Sequence, residues 1–216
     1  MTDDRAVSII TEGLRTSTSD LHLAGHRELS VLVSGPGLLE EGRKLIEHIV
    51  QYIRSGGVTI FPGETLRYGY WMIKFRERSS GALDIWEYNA HATEFVQGAT
   101  LTLTYWRDQH SACERLGAPF VPPTGDQLAV ISAGVLEGDH LEAVRYPSPG
   151  HMSGWWITTD RYDGNPQSLV TEHLYHVTGA RPEVAPYIAL PFGFRLHFKD
   201  ERNIWYDEEV ANGPAV

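Results

Sequence analysis

Two segments of the sequence combine residue types that could bind a ligand. The turn Ser34-Gly35-Pro36-Gly37 could cradle a phosphate, but it fits neither GxGxxG nor GxxxxGK[ST], and Glu40 and Glu41 would repel an anion there. His173 and His176 could bind a metal ion, but their spacing differs from HExxH and no third ligand cluster lies nearby. We therefore expect a capped turn and ordinary histidines, with no metal or cofactor.

Two further segments contain a side chain that could act as a nucleophile. Cys113 follows His110 by three residues, within reach on a helix, but this spacing has little specificity and we expect a buried structural thiol. Ser153 precedes Gly154, but the first glycine, Gly150, lies three residues before the serine, where GxSxG has two. Because no catalytic site is complete, we expect a protein that is not an enzyme.

The composition narrows the function classes further. The 216 residues are 42% hydrophobic, enough for one large or two small packed domains. The chain has 28 acidic and 18 basic side chains, a formal charge of -10, so a basic protein is a better ligand than nucleic acid. One cysteine cannot form an internal disulfide and fits a reducing compartment. Without a secretory signal or an apolar run of about 20 residues, we expect a cytoplasmic protein with no membrane association.

Hydrophobic periodicity predicts an α+β fold of two packed subdomains, each of mainly antiparallel sheet with a few flanking helices. The elements expected in the first subdomain are strands at 28–33, 66–76, 83–88 and 95–105, and helices between Glu40 and Gly56 and over 107–116. The last strand rests on the alternation of Leu101, Leu103 and Tyr105 with threonines. Residues 1–26, rich in Ser, Thr, Asp and Gly, are expected to be a loose segment.

The proline cluster at Pro122-Pro123 predicts a domain boundary, which gives domains at 27–118 and 119–216. The elements expected in the second domain are strands at 127–132, 140–146, 155–159, 192–198 and 203–206, and a helix at 182–190. The last two strands form a hairpin around Asp200-Glu201.

The second domain also carries most of the negative charge. Residues 119–216 contain 6 basic and 13 acidic side chains, or 6 - 13 = -7, whereas residues 1–118 contain 12 and 15, or 12 - 15 = -3. Acidic side chains beside an exposed aromatic residue are suited to docking a basic partner. We expect partner contacts from residues of these two types in the second domain: Trp155, Asp160, Asp163, Glu172, Asp207, Glu208 and Glu209.

Several separated pieces of residues 127–210 carry a resemblance to a known family. They are Val130-Ile131-Ser132, Val135-Leu136-Glu137-Gly138, Arg145-Tyr146, Met152-Ser153-Gly154-Trp155-Trp156-Ile157-Thr158, His173-Leu174-Tyr175-His176-Val177, Arg181-Pro182-Glu183 and Leu190-Pro191-Phe192-Gly193-Phe194. With these pieces the segment resembles immunity-protein family 33 of the bacterial polymorphic toxins. Met152 stands where that family often has an acidic residue.

The resemblance implies a non-enzymatic antitoxin in the cytoplasm that binds a cognate secreted toxin effector and blocks it. The acidity of the chain allows a basic, nuclease-like toxin as that partner. An alternative is a two-domain enzyme or small-molecule-binding protein, with a site in the interdomain cleft lined by the aromatics of Tyr68-Gly69-Tyr70-Trp71 and by histidines. Another is a structural subunit that self-associates through a sheet face at Leu101–Tyr105. The sequence does not predict the oligomeric state.

Overall fold

The computed structural model describes residues 7–138, 140–199 and 201–216. The chain divides into two compact units, Met1–Arg107 and Asp108–Val216, and the division falls inside a helix. Pro122-Pro123, where the sequence predicts the boundary, lies within the second unit. Each unit contains one mainly antiparallel sheet with helices, which confirms the α+β class. No helix in the described ranges is long and apolar enough to cross a membrane.

The N-terminal unit is built on a seven-stranded sheet. Its elements, in chain order, are β1 (Ser8–Glu12), β2 (Arg15–Ser19), β3 (Leu29–Leu32), α1 (Leu39–Gly56), β4 (Thr65–Tyr68), β5 (Trp71–Glu77), β6 (Leu83–Tyr88), β7 (Phe95–Gln97) and the start of α2 (Thr100–Arg115). The strand order is β1-β2-β3-β6-β5-β4, with β7 paired to β6. All of these pairings are antiparallel except that of β3 with β6.

Residues 8–19 are not the loose segment expected from the sequence. β1 and β2 form an antiparallel pair, and β2 pairs in turn with β3. Thr16 and Thr18 are buried, and the Oγ1 of Thr18 accepts a hydrogen bond from the N–H of Leu29. Serine and threonine occur in loops as well as in strands, so composition did not reveal this pairing. Residues 1–6 of the predicted loose segment lie outside the described residues.

α1 covers one face of this sheet, as its periodicity predicted. Leu45, Ile46 and Ile49 of α1 are fully buried in the same core as the strand residues Ile73 and Phe75. Because successive strand residues point to opposite faces, the residues that alternate with Ile73 and Phe75 point away from this core.

The strand predicted at 95–105 is wrong beyond Gln97. β7 ends there, Gly98 adopts a positive φ of 99°, and α2 begins at Thr100. The alternation of leucine and threonine favoured a strand by propensity, but the buried residues recur at helical steps, as at Thr102, Tyr105, Gln109 and Ala112. Leu101–Tyr105 is therefore helical and provides no sheet face for self-association.

Glu87 on β6 explains why the chain turns into a helix at this point. Its carboxylate accepts hydrogen bonds from the N–H of Leu101 at 2.9 Å, and from the N–H and Oγ1 of Thr102 at 2.6 and 2.7 Å. These N–H groups belong to the first turn of α2 and have no partner within the helix. Glu87 is only 3% exposed, and burial raises the pKa of its carboxyl above the ordinary value of 4.5, although the hydrogen bonds oppose the shift.

We expect the pH dependence of stability to report this carboxyl. Because its pKa is higher in the folded state, its stabilising contribution is fully present below pH 4.5 and is lost as the pH rises through the raised value. The free energy of unfolding of the wild type, relative to that of the non-titrating variant Glu87→Gln, should therefore fall as the pH rises above 4.5. Urea unfolding of both proteins across this range measures the difference, and a constant difference would contradict the assignment.

The C-terminal unit is built on a six-stranded sheet. After the second half of α2, its elements are β8 (Leu128–Ile131), β9 (Leu141–Arg145), β10 (Met152–Thr158), β11 (Val170–His173), α3 (Leu174–Ala180), β12 (Phe194–Phe198), β13 (Arg202–Tyr206) and α4 (Glu208–Ala211). The strand order is β11-β8-β10-β9-β12-β13, and the pairing of β8 with β10 is parallel.

The five strands predicted for this half are confirmed, although β10 begins at Met152 rather than at Trp155. The sequence did not predict β11, and the helices differ. The final hairpin is present, although Asp200 in its turn lies outside the described residues. The helix expected at 182–190 is reduced to one short 3-10 turn, Ala185–Tyr187, because Pro186 lacks an N–H and restricts the backbone. The sequence did not predict α3, which follows β11 directly.

Candidate partner-binding surface

The C-terminal sheet has one buried face and one face that is partly exposed. On β10, Trp155 and Ile157 are fully buried, whereas Trp156 and Thr158 are half-buried. The same alternation occurs on β12, where Leu196 is buried and its neighbours are half-buried. We call the partly exposed side the open face.

A row of large side chains crosses the open face. The strand register pairs Trp156 with Val144, Val144 with Arg195, and Arg195 with Trp205, so the four residues lie on one side of four consecutive strands. Trp205 is 45% exposed, and Tyr146 packs edge-on against Trp156 with ring centroids 5.7 Å apart. We call Trp156, Val144, Arg195 and Trp205 the aromatic row.

Carboxylates border the aromatic row at its β13 end. Asp207 caps α4 by accepting hydrogen bonds from the N–H groups of Glu209 and Val210, and its Oδ2 accepts a hydrogen bond from Nε of Arg195 at 2.8 Å. The hydrogen bonds from the helix N-terminus and from Arg195 lower the pKa of Asp207, which keeps it ionised. Glu208 and Glu209 are exposed in the first turn of α4. Three of the predicted contacts thus lie together beside the row.

Glu142 adds a fourth carboxylate to this face, one that the sequence analysis did not select. It is exposed on β9 and pairs in register with Thr158 and His197, both on the open face. Its Oε1 lies 3.7 Å from Nε2 of His197.

The other predicted acidic contacts lie on the opposite edge strand or in the loop that leads to it. Asp160 and Asp163 are exposed in the loop between β10 and β11, and Glu172 lies on β11 itself. β11 and β13 are the two edge strands, and five strand spacings separate them by about 24 Å. The six acidic residues therefore form two groups rather than one cluster.

Two members of this second group make hydrogen bonds within the fold. Glu172 accepts hydrogen bonds from Nδ1 of His176 at 2.6 Å and from its neighbour's N–H, and these interactions lower its pKa. Asp163 accepts hydrogen bonds from the N–H of Asn165 and the hydroxyl of Ser168, each at 2.9 Å, and its pKa is also lowered. Asp160, the third member, is exposed.

Trp155, predicted as a partner contact, is inside the protein. Its side chain is fully buried, and its Nε1 donates a hydrogen bond to the carbonyl of Ile188 at 3.0 Å. Neighbouring strand residues point to opposite faces, so the two tryptophans are divided between the core and the open face. Trp156, and not Trp155, is the one that a partner can reach.

Arg145 is another buried member of the segments that carry the family resemblance. It is 3% exposed, and its guanidinium donates to the carbonyls of Val121 at 2.7 Å, Leu190 at 2.6 Å and Ser153 at 2.9 Å, with Ile188 at 3.3 Å. Burial lowers the pKa of Arg145 to about 10, so it remains charged at neutral pH. Arg145 therefore links β9 by hydrogen bonds to the segment at Val121 and to the segment at 188–190.

Arg181 and Ser132, from two other segments of the resemblance, are also structural. Arg181 is 6% exposed, pairs with Glu183 through Nε and Oε1 at 2.6 Å, and donates to the carbonyl of Val135. The hydroxyl of Ser132 accepts a hydrogen bond from the N–H of Thr159. These residues of the resemblance make hydrogen bonds within the fold.

Gly154 occupies a position in β10 that has no room for a side chain. Its φ is +84°, and a Cβ there would lie 2.4 Å from the carbonyl oxygen of Tyr146. We expect Gly154→Ala to lower the free energy of unfolding by about 2–3 kcal/mol, from the left-handed backbone and this clash. Gly150→Ala is the matched control, because its Cβ would meet nothing within 4 Å. Urea denaturation measures the free energy of unfolding of both variants. Equal values for the two would contradict the prediction, because they would show that the backbone moves to relieve the clash.

The remaining candidate residues make no catalytic arrangement in the described ranges. Cys113 is 2% exposed, and burial raises the pKa of its thiol, which disfavours the nucleophilic thiolate. The ring of His173 stacks on Tyr175 at 5.1 Å, and no group of three or more His, Cys, Asp or Glu in the described residues could hold a metal ion. Tyr70 and Trp71, assigned to a cleft in the alternative reading, are buried.

Comparison with known proteins gives one match. No curated protein and no solved structure matches the chain. Residues 108–207 match the family model of the Imm33-like domain, a span that contains the sheet, Arg145, Trp155 and the aromatic row. The C-terminal unit of this chain is therefore similar to the Imm33-like domain, over slightly less than half of the chain.

Proposed function

We propose that this chain is a cytoplasmic immunity protein that binds a cognate secreted bacterial toxin and blocks it by forming a complex, without enzymatic activity. The observation that supports this proposal best is the aromatic row with its bordering carboxylates on the open face of the Imm33-like domain.

The aromatic row has the composition of a protein interface. Tryptophan, tyrosine and arginine are the residue types most enriched at such surfaces, where they supply large contact areas. Trp156 and Arg195 of the row, and Tyr146 beside it, are half-buried, and Trp205 is 45% exposed, so these side chains can still lose surface to a partner. The row thus supplies an apolar centre, and the carboxylates supply a polar rim.

The charge of the C-terminal unit favours a basic toxin, such as a nuclease. Two of the six cations in residues 119–216, Arg145 and Arg181, are buried, so the surface carries a larger negative excess than the sequence count of -7. A toxin that acts on nucleic acid has a basic groove, which an acidic surface complements without itself binding nucleic acid.

Of the contacts predicted from the sequence, we assign the toxin surface to Asp207, Glu208 and Glu209, together with Glu142 and the aromatic row. Glu172 lies on β11, the edge strand opposite β13, and Asp160 and Asp163 lie in the loop that leads to β11, whereas Asp207 contacts Arg195 of the row itself. These three therefore stand outside the proposed contact.

Co-expression with each candidate toxin gene found beside the gene of this chain tests the function, and a charge variant tests the surface. We expect Glu208→Lys/Glu209→Lys to weaken toxin binding and to reduce its salt dependence. Glu40→Lys/Glu41→Lys is the matched control, since it also reverses two adjacent glutamates in the first turn of a helix, in the N-terminal unit. Failure of the wild type to protect or bind would refute the function. Equal losses in both variants would refute only the surface.

A further inference from the structure

The sheet of the N-terminal unit presents a second, differently charged surface. Lys74 and Arg76 alternate with the buried Ile73 and Phe75 on β5, so they lie on the face away from α1. The same face carries three further cations. Arg67 pairs in register with Met72, which lies on the same side of β5 as Lys74. Arg78 and Arg15 both contact the hydroxyl of Ser30, Arg78 through Nη1 at 3.4 Å. We call Arg15, Arg67, Lys74, Arg76 and Arg78 the cationic face.

The cationic face has a positive excess within an acidic protein. Asp84 is 2% exposed and is held by Arg15, Ser30 and Gln97 at the floor of the face. Glu12 shares the face at the sheet edge, where it also pairs in register with Arg15. Lys74, Arg76 and Arg78 make no ion pair with a carboxylate in the part of the chain that the structure describes.

Aromatic rings hold two of these cations in place. The guanidinium of Arg76 lies 4.1 Å from the ring centroid of Trp86, and the ammonium of Lys74 lies 5.0 Å from that of Phe95. A guanidinium stacked on a ring is restrained, yet its N–H groups point outward in its own plane, where a carboxylate can accept two of them. The rings therefore prepare the cations to bind an anion.

The same contacts argue against nucleic acid as that anion. Single-stranded nucleic acid binds by stacking its bases on exposed rings. Here Arg76 covers Trp86, and Phe95 is stacked on Tyr88 at 4.0 Å while Lys74 lies over its ring. The formal charge of -10 also repels a long polyanion more strongly than a short acidic peptide.

We infer that the cationic face is a docking site for an acidic segment of a partner protein, distinct from the toxin surface of the C-terminal unit. A groove of about 420 Å³ continues the face beside Arg78 and is lined by Ser17, Ser30 and Ser80. Glu28 also lines it, with its carboxylate held by hydrogen bonds from Thr18, Leu21 and His22, so the acidic segment binds at the Arg78 side of the groove. Carboxylates of the segment bind Lys74, Arg76 and Arg78, and the hydroxyls of Ser17 and Ser80 offer further donors, whereas that of Ser30 already donates to Asp84. The inference does not depend on the proposed toxin.

Fluorescence anisotropy with a labelled peptide of alternating glutamate and glycine tests this site in the full-length protein. We expect Lys74→Gln/Arg76→Gln to weaken peptide binding about tenfold, and the wild-type affinity to fall as salt is raised from about 50 to about 300 mM. Arg43→Gln/Lys44→Gln is the matched control, because it also removes one arginine and one lysine, both of them on α1. Trp86→Leu keeps every charge and should weaken binding about threefold by freeing Arg76.

Four results would overturn the inference. They are no binding of the peptide, equal losses in the two double variants, tighter binding of an oligothymidylate of similar length, and a salt-sensitive dimer in sedimentation that Lys74→Gln/Arg76→Gln abolishes. The last two would assign the face to nucleic acid or to a second copy of the chain. Thermal unfolding of each variant confirms that it is folded before binding is compared.

Discussion

Replacing Arg145 with methionine is expected to lower the free energy of unfolding by about 3–5 kcal/mol. Methionine fills much of the volume, but it leaves the carbonyls of Val121, Ser153 and Leu190 without their donor in a buried site. Removing a buried charge can stabilise a protein when its partners are removed as well. Here the partners are backbone groups, which no side-chain substitution removes.

Two further variants separate the hydrogen bonds of Arg145 from its charge. Arg145→Lys keeps the charge but cannot reproduce the planar set of guanidinium donors. We therefore expect its free energy of unfolding to lie between those of the wild type and of Arg145→Met. Arg202→Met removes an exposed arginine of β13 and should change stability by less than about 0.5 kcal/mol. Urea denaturation measures all three. If Arg145→Met unfolds at the wild-type urea concentration, the carbonyls have found other donors and the assigned role is wrong.

Local signals in the sequence were sufficient for most strands but not for α2. Strand and helix alternatives compete when a segment such as Leu101–Tyr105 is both β-branched and amphipathic. The deciding interaction comes from Glu87 on a different strand, whose carboxylate receives the first N–H groups of the helix. A single-sequence pattern does not contain that contact, although Gly98 before the threonines was a signal for a turn.

The sequence predicted which residue types form the candidate surface, but not where the strands place them. Alternation shows that Trp155 and Trp156 face opposite ways, but the choice of the buried one depends on which side the segment around Ile188 covers. The aromatic row joins residues from β10, β9, β12 and β13, and its existence follows from strand order and register. Strand order also sends Glu172 and Asp207 to opposite edges. These properties are set by long-range pairing, which sequence spacing does not reveal.

The double variant Trp156→Ala/Trp205→Ala is expected to weaken toxin binding about 100-fold or more and to abolish protection in co-expression. Both rings lie on the open face at the two ends of the aromatic row, so truncating them removes most of the aromatic contact area that the row offers to a partner. Because neither ring is in the core, the thermal unfolding temperature should change little. Titration calorimetry with the purified toxin measures the loss.

The neighbouring Trp155 gives this prediction its sharpest contrast. Trp155→Ala should lower the free energy of unfolding by about 3–5 kcal/mol, because it opens a cavity and leaves the carbonyl of Ile188 with fewer donors. Trp155→Ala would then weaken toxin binding because less of the protein is folded. Trp156→Ala/Trp205→Ala would weaken toxin binding although the protein stays folded. Trp86→Ala, on the N-terminal unit, controls for loss of an aromatic ring elsewhere on the surface. If Trp156→Ala/Trp205→Ala binds the toxin as tightly as Trp86→Ala does, the open face is not the toxin surface, and the acidic loop that contains Asp160 becomes the site to test.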